Sequence, residues 1–358
     1  MRFGLSFLPD SSSETKSPKD YYAEALALCD TAEKGGLDYV KMTEHYLHPY
    51  GGYCPSPIQF LTAAASRTKN IRLMTGCILP AFHHPVQLAA EIAMLDAISC
   101  GRTEIGFARA YLPFEFDAFG ISLDESRARY SETILAVIKL WTEKNVSIRN
   151  NFFSFENANS LPGITQKPHP PIWGAAVNSR QSFAWLGEQG FNLLVTPPGT
   201  LEHLKDLISI YRESFALAHP NKKPKIAISL PTCIAKEEAQ AIKMGDAYLA
   251  KFIAVWSSAA EMWSSGVSSL DYPGYKGLAN IIRRNTPKIM RENGQALIGS
   301  PKMVIERICE IRENLGIDEF LLQIEFGAQP YALSDQTLRF FIEEVKPIFA
   351  KSSELITQ

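Results

Sequence analysis

Tyr21–His45, YYAEALALCDTAEKGGLDYVKMTEH, holds the unit from which most of the chain is built. Tyr21 through Cys29 have helical period, Gly35-Gly36 follow, and Asp38–Thr43 is an apolar run of strand length. Glycine past a helix end accepts the left-handed conformation that closes the last turn. The stretch therefore predicts a helix, a tight reversal and a strand, with Glu44 and His45 just beyond the strand's C-terminal end.

The same unit recurs along the sequence. Strands are predicted at Arg2–Leu8, Asp38–Thr43, Ile71–Leu79, Thr103–Arg109, Pro171–Val177, Asn192–Thr196, Lys225–Cys233 and Glu319–Phe326. Segments of helical period lie between them, including Val86–Ile98, Ser126–Trp141, Ser182–Glu188 and Pro301–Asn314, several closed by glycine at Gly101, Gly190 and Gly316. Eight strands alternating with helices predict an α/β protein, a (β/α)8 TIM barrel, with a doubly wound open sheet as the runner-up. Residues 1–358 are read as one barrel domain with two insertions. Val146-Ser147-Ile148 and Phe152–Phe155 predict a short hairpin before strand five, and residues 234–318, between strands seven and eight, exceed what one helix and its loops require. So long a connection is usually functional, and its Ser-, Gly- and aromatic-rich part, 255–285, is predicted to be a mobile lid over the active site.

Composition narrows the class. The net charge is -2, with both signs spread along 358 residues, which offers no electrostatic case for nucleic acid or an anionic membrane. No apolar run is long enough to span a bilayer, and Met1–Leu5 reads as a first strand rather than a signal peptide, so a cytoplasmic protein is expected. The six cysteines form no CxxC pair, and reduced structural thiols are expected.

In a parallel barrel the active site lies at the C-terminal ends of the strands. The polar residues found there are Glu44 and His45, His83 and His84, Arg109, and Asn178, Ser179, Arg180 and Ser182. A metal site is disfavoured: His45 and His48 lack a shared helical face, and Glu44 would point away from His45 if the strand continued. Proton transfer suits His45, whose ordinary pKa allows acid or base work near neutrality, whereas His48 to Gly52 read as loop. An anion site is the third reading. Asn178 through Ser182 open a helix, whose free N–H groups and dipole favour an anion, although Asn178 or Ser179 could serve only as caps. Arg109 has no capping role and suits bidentate phosphate recognition, and Arg127 is a further candidate, with a solvated helix-start arginine as the alternative. No GxGxxG or GxxxxGK[ST] fingerprint follows any strand.

Taken together, these residues resemble the bacterial luciferase-like monooxygenase family over nearly the whole chain. The resemblance is carried by Glu44-His45, Leu79-Pro80, His84-Pro85-Val86 leading to Leu95-Asp96, and Gly101-Arg102 with Gly106 through Arg109. It continues in Phe119-Gly120, Glu125-Ser126-Arg127-Ala128, Ser179 with Ser182, and Gly299-Ser300-Pro301 with Val304 ahead of Ile324–Gly327. It implies reduced FMN (FMNH2) at the barrel mouth, reacting with O2 to a C4a-hydroperoxide. Arg109, Arg127, Ser179 and Ser182 would hold the phosphate, with Asn178 where luciferase has a phosphate-site glutamate. His45, paired with Glu44, would handle the proton. The resemblance also implies a non-prolyl cis peptide at Thr75-Gly76 and the homodimer usual in the family.

The sequence departs from luciferase at Ala108, where luciferase has a cysteine, and at Tyr46, where it has a second histidine. These departures fit a relative that does not emit light. The expected function is a two-component FMNH2-dependent monooxygenase that takes its flavin from a separate reductase and oxygenates a small organic substrate such as an aldehyde or ketone. F420-dependent hydride transfer on the same barrel and a non-catalytic flavin-binding protein are the alternatives.

Overall fold

The computed structural model describes residues 1–197 and 199–354. Its first helix, Pro18–Lys34, is set by local chemistry. The side chain of Ser17 accepts the N–H of Asp20, Pro18 takes the first turn, and Tyr21, Ala25, Leu28, Cys29 and Ala32 form one buried stripe. Gly36 ends it at φ 64°, while the N–H groups of Gly36 and Leu37 return to the carbonyls of Glu33 and Ala32. This is the double closure of a Schellman turn, and it delivers the chain into the second strand.

The described residues form eleven strands, in chain order β1 Arg2–Phe7, β2 Tyr39–Met42, β3 Arg72–Ile78, β4 Thr103–Phe107, β5 Val146–Arg149, β6 Ser154–Ala158, β7 Ile172–Ala176, β8 Asn192–Val195, β9 Ile226–Ile234, β10 Leu297–Gly299 and β11 Glu319–Glu325. The parallel order β9-β11-β1-β2-β3-β4-β7-β8 closes through pairing of β8 with β9, which makes the TIM barrel. β5 and β6 form the antiparallel hairpin expected before strand five. β10 was not expected: three residues leave no periodic signal, and they pair with β9 only at Thr232–Ile234.

Side chains alternate between the barrel interior and the shell of helices. Tyr39, Met74, Trp173, Leu194, Ala227 and Leu321 fill the interior, whereas Phe3, Leu5, Phe7 and Met42 pack in the outer core. Gly4 is needed here, since a Cβ would stand 2.7 Å from both Leu321 and Tyr39. Two stretches that carried the resemblance turn out to hold the frame. Buried Asp96 accepts the backbone N–H groups of Thr165 and Gln166, each at 2.9 Å, which ties the chain after the hairpin to the helix Pro85–Ile98. Arg102 donates to the carbonyls of Ser99, Ile71, Ala65 and Thr68. Among the described residues no helix is long and apolar enough to cross a membrane.

Candidate active site

Glu44 and His45 leave β2 at the barrel mouth, and both are buried, but their side chains turn to different partners. Adjacent residues in extended chain face opposite ways. Glu44 Oε2 accepts the N–H of Leu79 at 2.9 Å, and its Oε1 lies 2.7 Å from His83 Nε2 and also accepts the Tyr46 hydroxyl. Burial, the largest single influence, lowers the His83 pKa, but the hydrogen bond and charge of Glu44, joined by the charge of Glu91, together raise it above the ordinary histidine value.

His45 turns instead to Glu115, which is wholly buried on the short helix Pro113–Phe119 after β4. The His45 Nδ1 to Glu115 Oε1 distance is 3.0 Å, and the same oxygen accepts the Tyr46 N–H at 2.8 Å. A carboxylate can only accept, so Nδ1 is the donor of this bond and Nε2 is left free of it. Tyr50 and Tyr111 wall the imidazole at centroid distances of 5.2 and 6.1 Å. Gly51, at φ 78°, lets the loop close on it, since a Cβ there would lie 2.5 Å from that of His45. The stretch read as plain loop therefore positions the histidine. His48 also has contacts, with Nε2 at 3.2 Å from Ser258 Oγ in the helix Glu238–Ala259.

The expected phosphate residues divide. Arg109, Arg127 and Ser182 line one cavity of about 320 Å³ with Tyr130, Gln181 and Trp185. Arg109 donates through Nη2 to the carbonyl of Asp271 at 2.8 Å and lies 4.2 Å over the Tyr272 ring, while its buried Nη1 has no partner. Burial, then the neighbouring Arg109 charge, lowers the Arg127 pKa. Two guanidiniums that repel one another and an orphaned donor suit a ligand bearing a multiply charged oxyanion. Ser179 is the N-cap of the helix Arg180–Glu188, accepting the N–H of Ser182 at 3.3 Å. Asn178 is not brought to the cavity: its exposed Oδ1 lies 2.7 Å from His203 Nε2.

Thr75 and Gly76 lie in the middle of β3. Thr75 Oγ1 accepts the N–H of Gly106 at 2.8 Å and donates to its carbonyl at 3.0 Å, clamping β3 to β4. The cis peptide is Gly76-Cys77, not Thr75-Gly76. Thr75 keeps its regular pairing with Ile105, so the irregularity in the ladder begins one residue later than expected. Trp173 lies in the barrel interior, and Phe7 and Met42 lie in the outer core, so all three are packing residues.

The 255–285 segment is folded down on the mouth. The Tyr272 hydroxyl donates to the carbonyl of Ala110 and contacts Ser126 Oγ, Asp271 Oδ2 accepts the N–H of Arg127 at 2.8 Å, and Trp263 donates to the carbonyl of Tyr111 at 2.8 Å. Sequence reasoning did not single out Glu115, Asp271 or Tyr272. Among the described residues no group of three or more His, Cys, Asp or Glu side chains is placed to hold a metal ion.

A closed parallel barrel with its polar side chains gathered at the C-terminal ends of the strands is the architecture of the TIM-barrel enzymes. The chain belongs to the luciferase-like monooxygenase family, whose model matches residues 1–319, and is by that membership a monooxygenase-class enzyme. It is 30% identical, over 98% of its length and 96% of the relative's, to the oxygenase component of the flavin-dependent trigonelline monooxygenase of Acinetobacter baylyi. Among solved structures, the monooxygenase RslO1 from Streptomyces bottropensis is 34% identical, with a TM-score of 0.84 over 98% of this chain and all of that one. The oxygenating constituent of 3,6-diketocamphane monooxygenase from Pseudomonas putida, a type II Baeyer–Villiger monooxygenase solved with FMN, shares the fold at 23% identity. Its TM-score is 0.79, covering 97% of this chain and 98% of that one.

Proposed function

We propose that the chain is the oxygenase component of a two-component monooxygenase, receiving FMNH2 from a separate reductase and acting with O2 on a small organic substrate such as an aldehyde or ketone. The observation that carries this reading is the orphaned Arg109 Nη1 in a cavity shared with Arg127 and Ser182. A flavin phosphate would accept from it, relieve the repulsion between the arginines and face the start of the helix Arg180–Glu188. The likeness to the Acinetobacter oxygenase component, over nearly the full length of both chains, supports the same assignment.

When bound, the reduced flavin supplies two electrons, so that one atom of O2 enters the substrate and the other leaves as water. The chain's own residues orient, seal and move protons. Glu115 holds the His45 ring with Nε2 as its free acid-base atom. Glu44 holds His83 and the Tyr46 hydroxyl as a second proton-bearing set. Tyr272 and Asp271 draw the 255–285 segment over the mouth, where it would exclude water. As part of the same reading, the chain is one barrel domain that works as a cytoplasmic homodimer beside its reductase.

Anaerobic titration with FMNH2 and, in parallel, with reduced F420 tests the assignment. Saturable binding of FMNH2 with weaker binding of F420 is expected. Binding of F420 alone would overturn it in favour of hydride transfer.

A further inference from the structure

Strand register identifies one level of the barrel interior. Ser6 on β1 stands beside Lys41 on β2 and Gln323 on β11. Tyr39 and Leu321, two residues earlier on those strands, belong to the apolar interior, so Lys41 and Gln323 lie on the same inward face one step nearer the mouth. The floor of the mouth is therefore polar above an apolar filling.

Lys41 is only 8% exposed. Its Nζ donates to the hydroxyls of Ser6 and Thr43, each at 3.2 Å, and Ser6 Oγ lies 3.1 Å from Ser229 Oγ. Both partners are neutral, so the ammonium has no carboxylate to offset its burial, and such burial is costly. Burial accordingly pulls its pKa down to about 8. Gly76 makes room for the stem: a Cβ there would come within 2.2 to 2.6 Å of Lys41 Cγ, Cδ and Cε. Beside it, Gln323 is 5% exposed and its Nε2 has no hydrogen-bond partner. An ammonium with no opposite charge and an amide nitrogen with no acceptor thus share one level at the mouth.

Taking the flavin reading above as given, we propose that Lys41, assisted by Gln323, is the counter-charge for the negative pyrimidine edge of the reduced flavin. It would thereby set the preference of this protein for reduced over oxidised cofactor. Near neutral pH the reduced ring carries a negative charge spread over N1 and the adjacent carbonyl, whereas the oxidised ring is neutral. The phosphate is the same in both states, so the arginines cannot tell them apart. A buried cation can, because charge near N1 tunes flavin electronics. β2 and β4 flank β3, about 10 Å apart at ~4.8 Å per strand, a span that one flavin mononucleotide anchored near Arg109 can bridge.

The test compares wild type, Lys41→Met, Gln323→Leu and Arg109→Ala by anaerobic titration with oxidised and with reduced FMN. Lys41→Met keeps an unbranched stem, one heavy atom shorter, and removes a buried charge, so a folded protein is expected, and circular dichroism checks it. It should lose at least about tenfold in the ratio of reduced to oxidised affinity, lowering the midpoint potential of the bound flavin by about 30 mV per tenfold. Gln323→Leu should move the ratio the same way by less, and Arg109→Ala should weaken both states together. If wild type binds both states and folded Lys41→Met keeps the wild-type ratio, the role of Lys41 is refuted while the flavin reading stands. If wild type binds neither state, both fall.

Discussion

Arg109→Ala tests the anion site where the structure is most explicit. In the wild type Nη1 is buried without a partner, and Nη2 is held by the Asp271 carbonyl at 2.8 Å. A phosphate bonded to Nη1 makes a charge-assisted hydrogen bond, worth about 1.5–3 kcal/mol. At about 1.4 kcal/mol per factor of ten, its removal alone weakens binding roughly tenfold to a hundredfold. One change opposes this. Arg127 loses a repulsive neighbour and remains to hold the phosphate, which places the net loss in the lower half of that range, on the order of ten- to thirtyfold. Isothermal titration with FMN and with riboflavin provides the assay, since riboflavin has the same ring and ribityl chain without the phosphate. FMN affinity should fall by that factor while riboflavin affinity changes less than about twofold. An FMN change below about threefold, or an equal loss for riboflavin, would refute the placement of the phosphate.

Three further outcomes are expected. His45→Ala should lower product formation by about 10²–10⁴-fold, the usual worth of a positioned acid-base group. Glu115→Gln should lower it by less, and both should leave FMNH2 affinity near wild type; full turnover in His45→Ala would remove the histidine from the chemistry. Burial, then the charge of Asp10, pushes the Glu325 carboxyl up to about 8, and burial pushes Asp10 up to about 6. Such carboxyls stay protonated in the folded chain after the unfolded chain has ionised, so their contribution is complete below about pH 4 and is lost as pH rises through 6 and then 8. Glu325→Gln should therefore lose less stability than wild type between pH 5 and 8 in thermal melts, a difference on the order of a few kcal/mol; parallel curves would refute the buried-acid assignment. Tyr272→Phe removes the hydroxyl bonded to the Ala110 carbonyl and Ser126, a loss of about 1–3 kcal/mol from leaving a buried acceptor unpaired. Limited proteolysis within residues 265–277 should be faster than in wild type, and an unchanged rate would show that Tyr272 does not hold the segment down.

The barrel was legible because its punctuation is local. Each of the eight strands appears within a residue or two of its expected place, since glycine reversals such as Gly36 and the period of the flanking runs act over a few residues. β10 was not legible because three residues carry no period, and its pairing depends on where β9 ends. The cis peptide was misplaced by one position because the Thr75 clamp to Gly106 is a tertiary contact. Arg109 and Ser182, read from their place at strand ends, and Arg127, read from a helix start and the resemblance, line one cavity. Position in the barrel could not show that Asn178 is taken by His203, a residue of the following helix. Glu115 escaped notice because an acid in the first turn of a helix that opens with proline reads as a dipole partner. Lys41 escaped for a different reason: within a run read as a strand, inward and outward faces become distinguishable only when register is known.

Whether the protein handles oxygen for its flavin is tested most directly by stopped flow. The protein, saturated with FMNH2 under anaerobic conditions, is mixed with oxygenated buffer while the return of oxidised-flavin absorbance is followed. A sealed mouth that controls the proton at His45 should make reoxidation clearly slower than that of free FMNH2, and His45→Ala should alter the rate. Reoxidation at the rate of free FMNH2, with wild type and variant alike, would contradict the assignment of this barrel as a reduced-flavin monooxygenase.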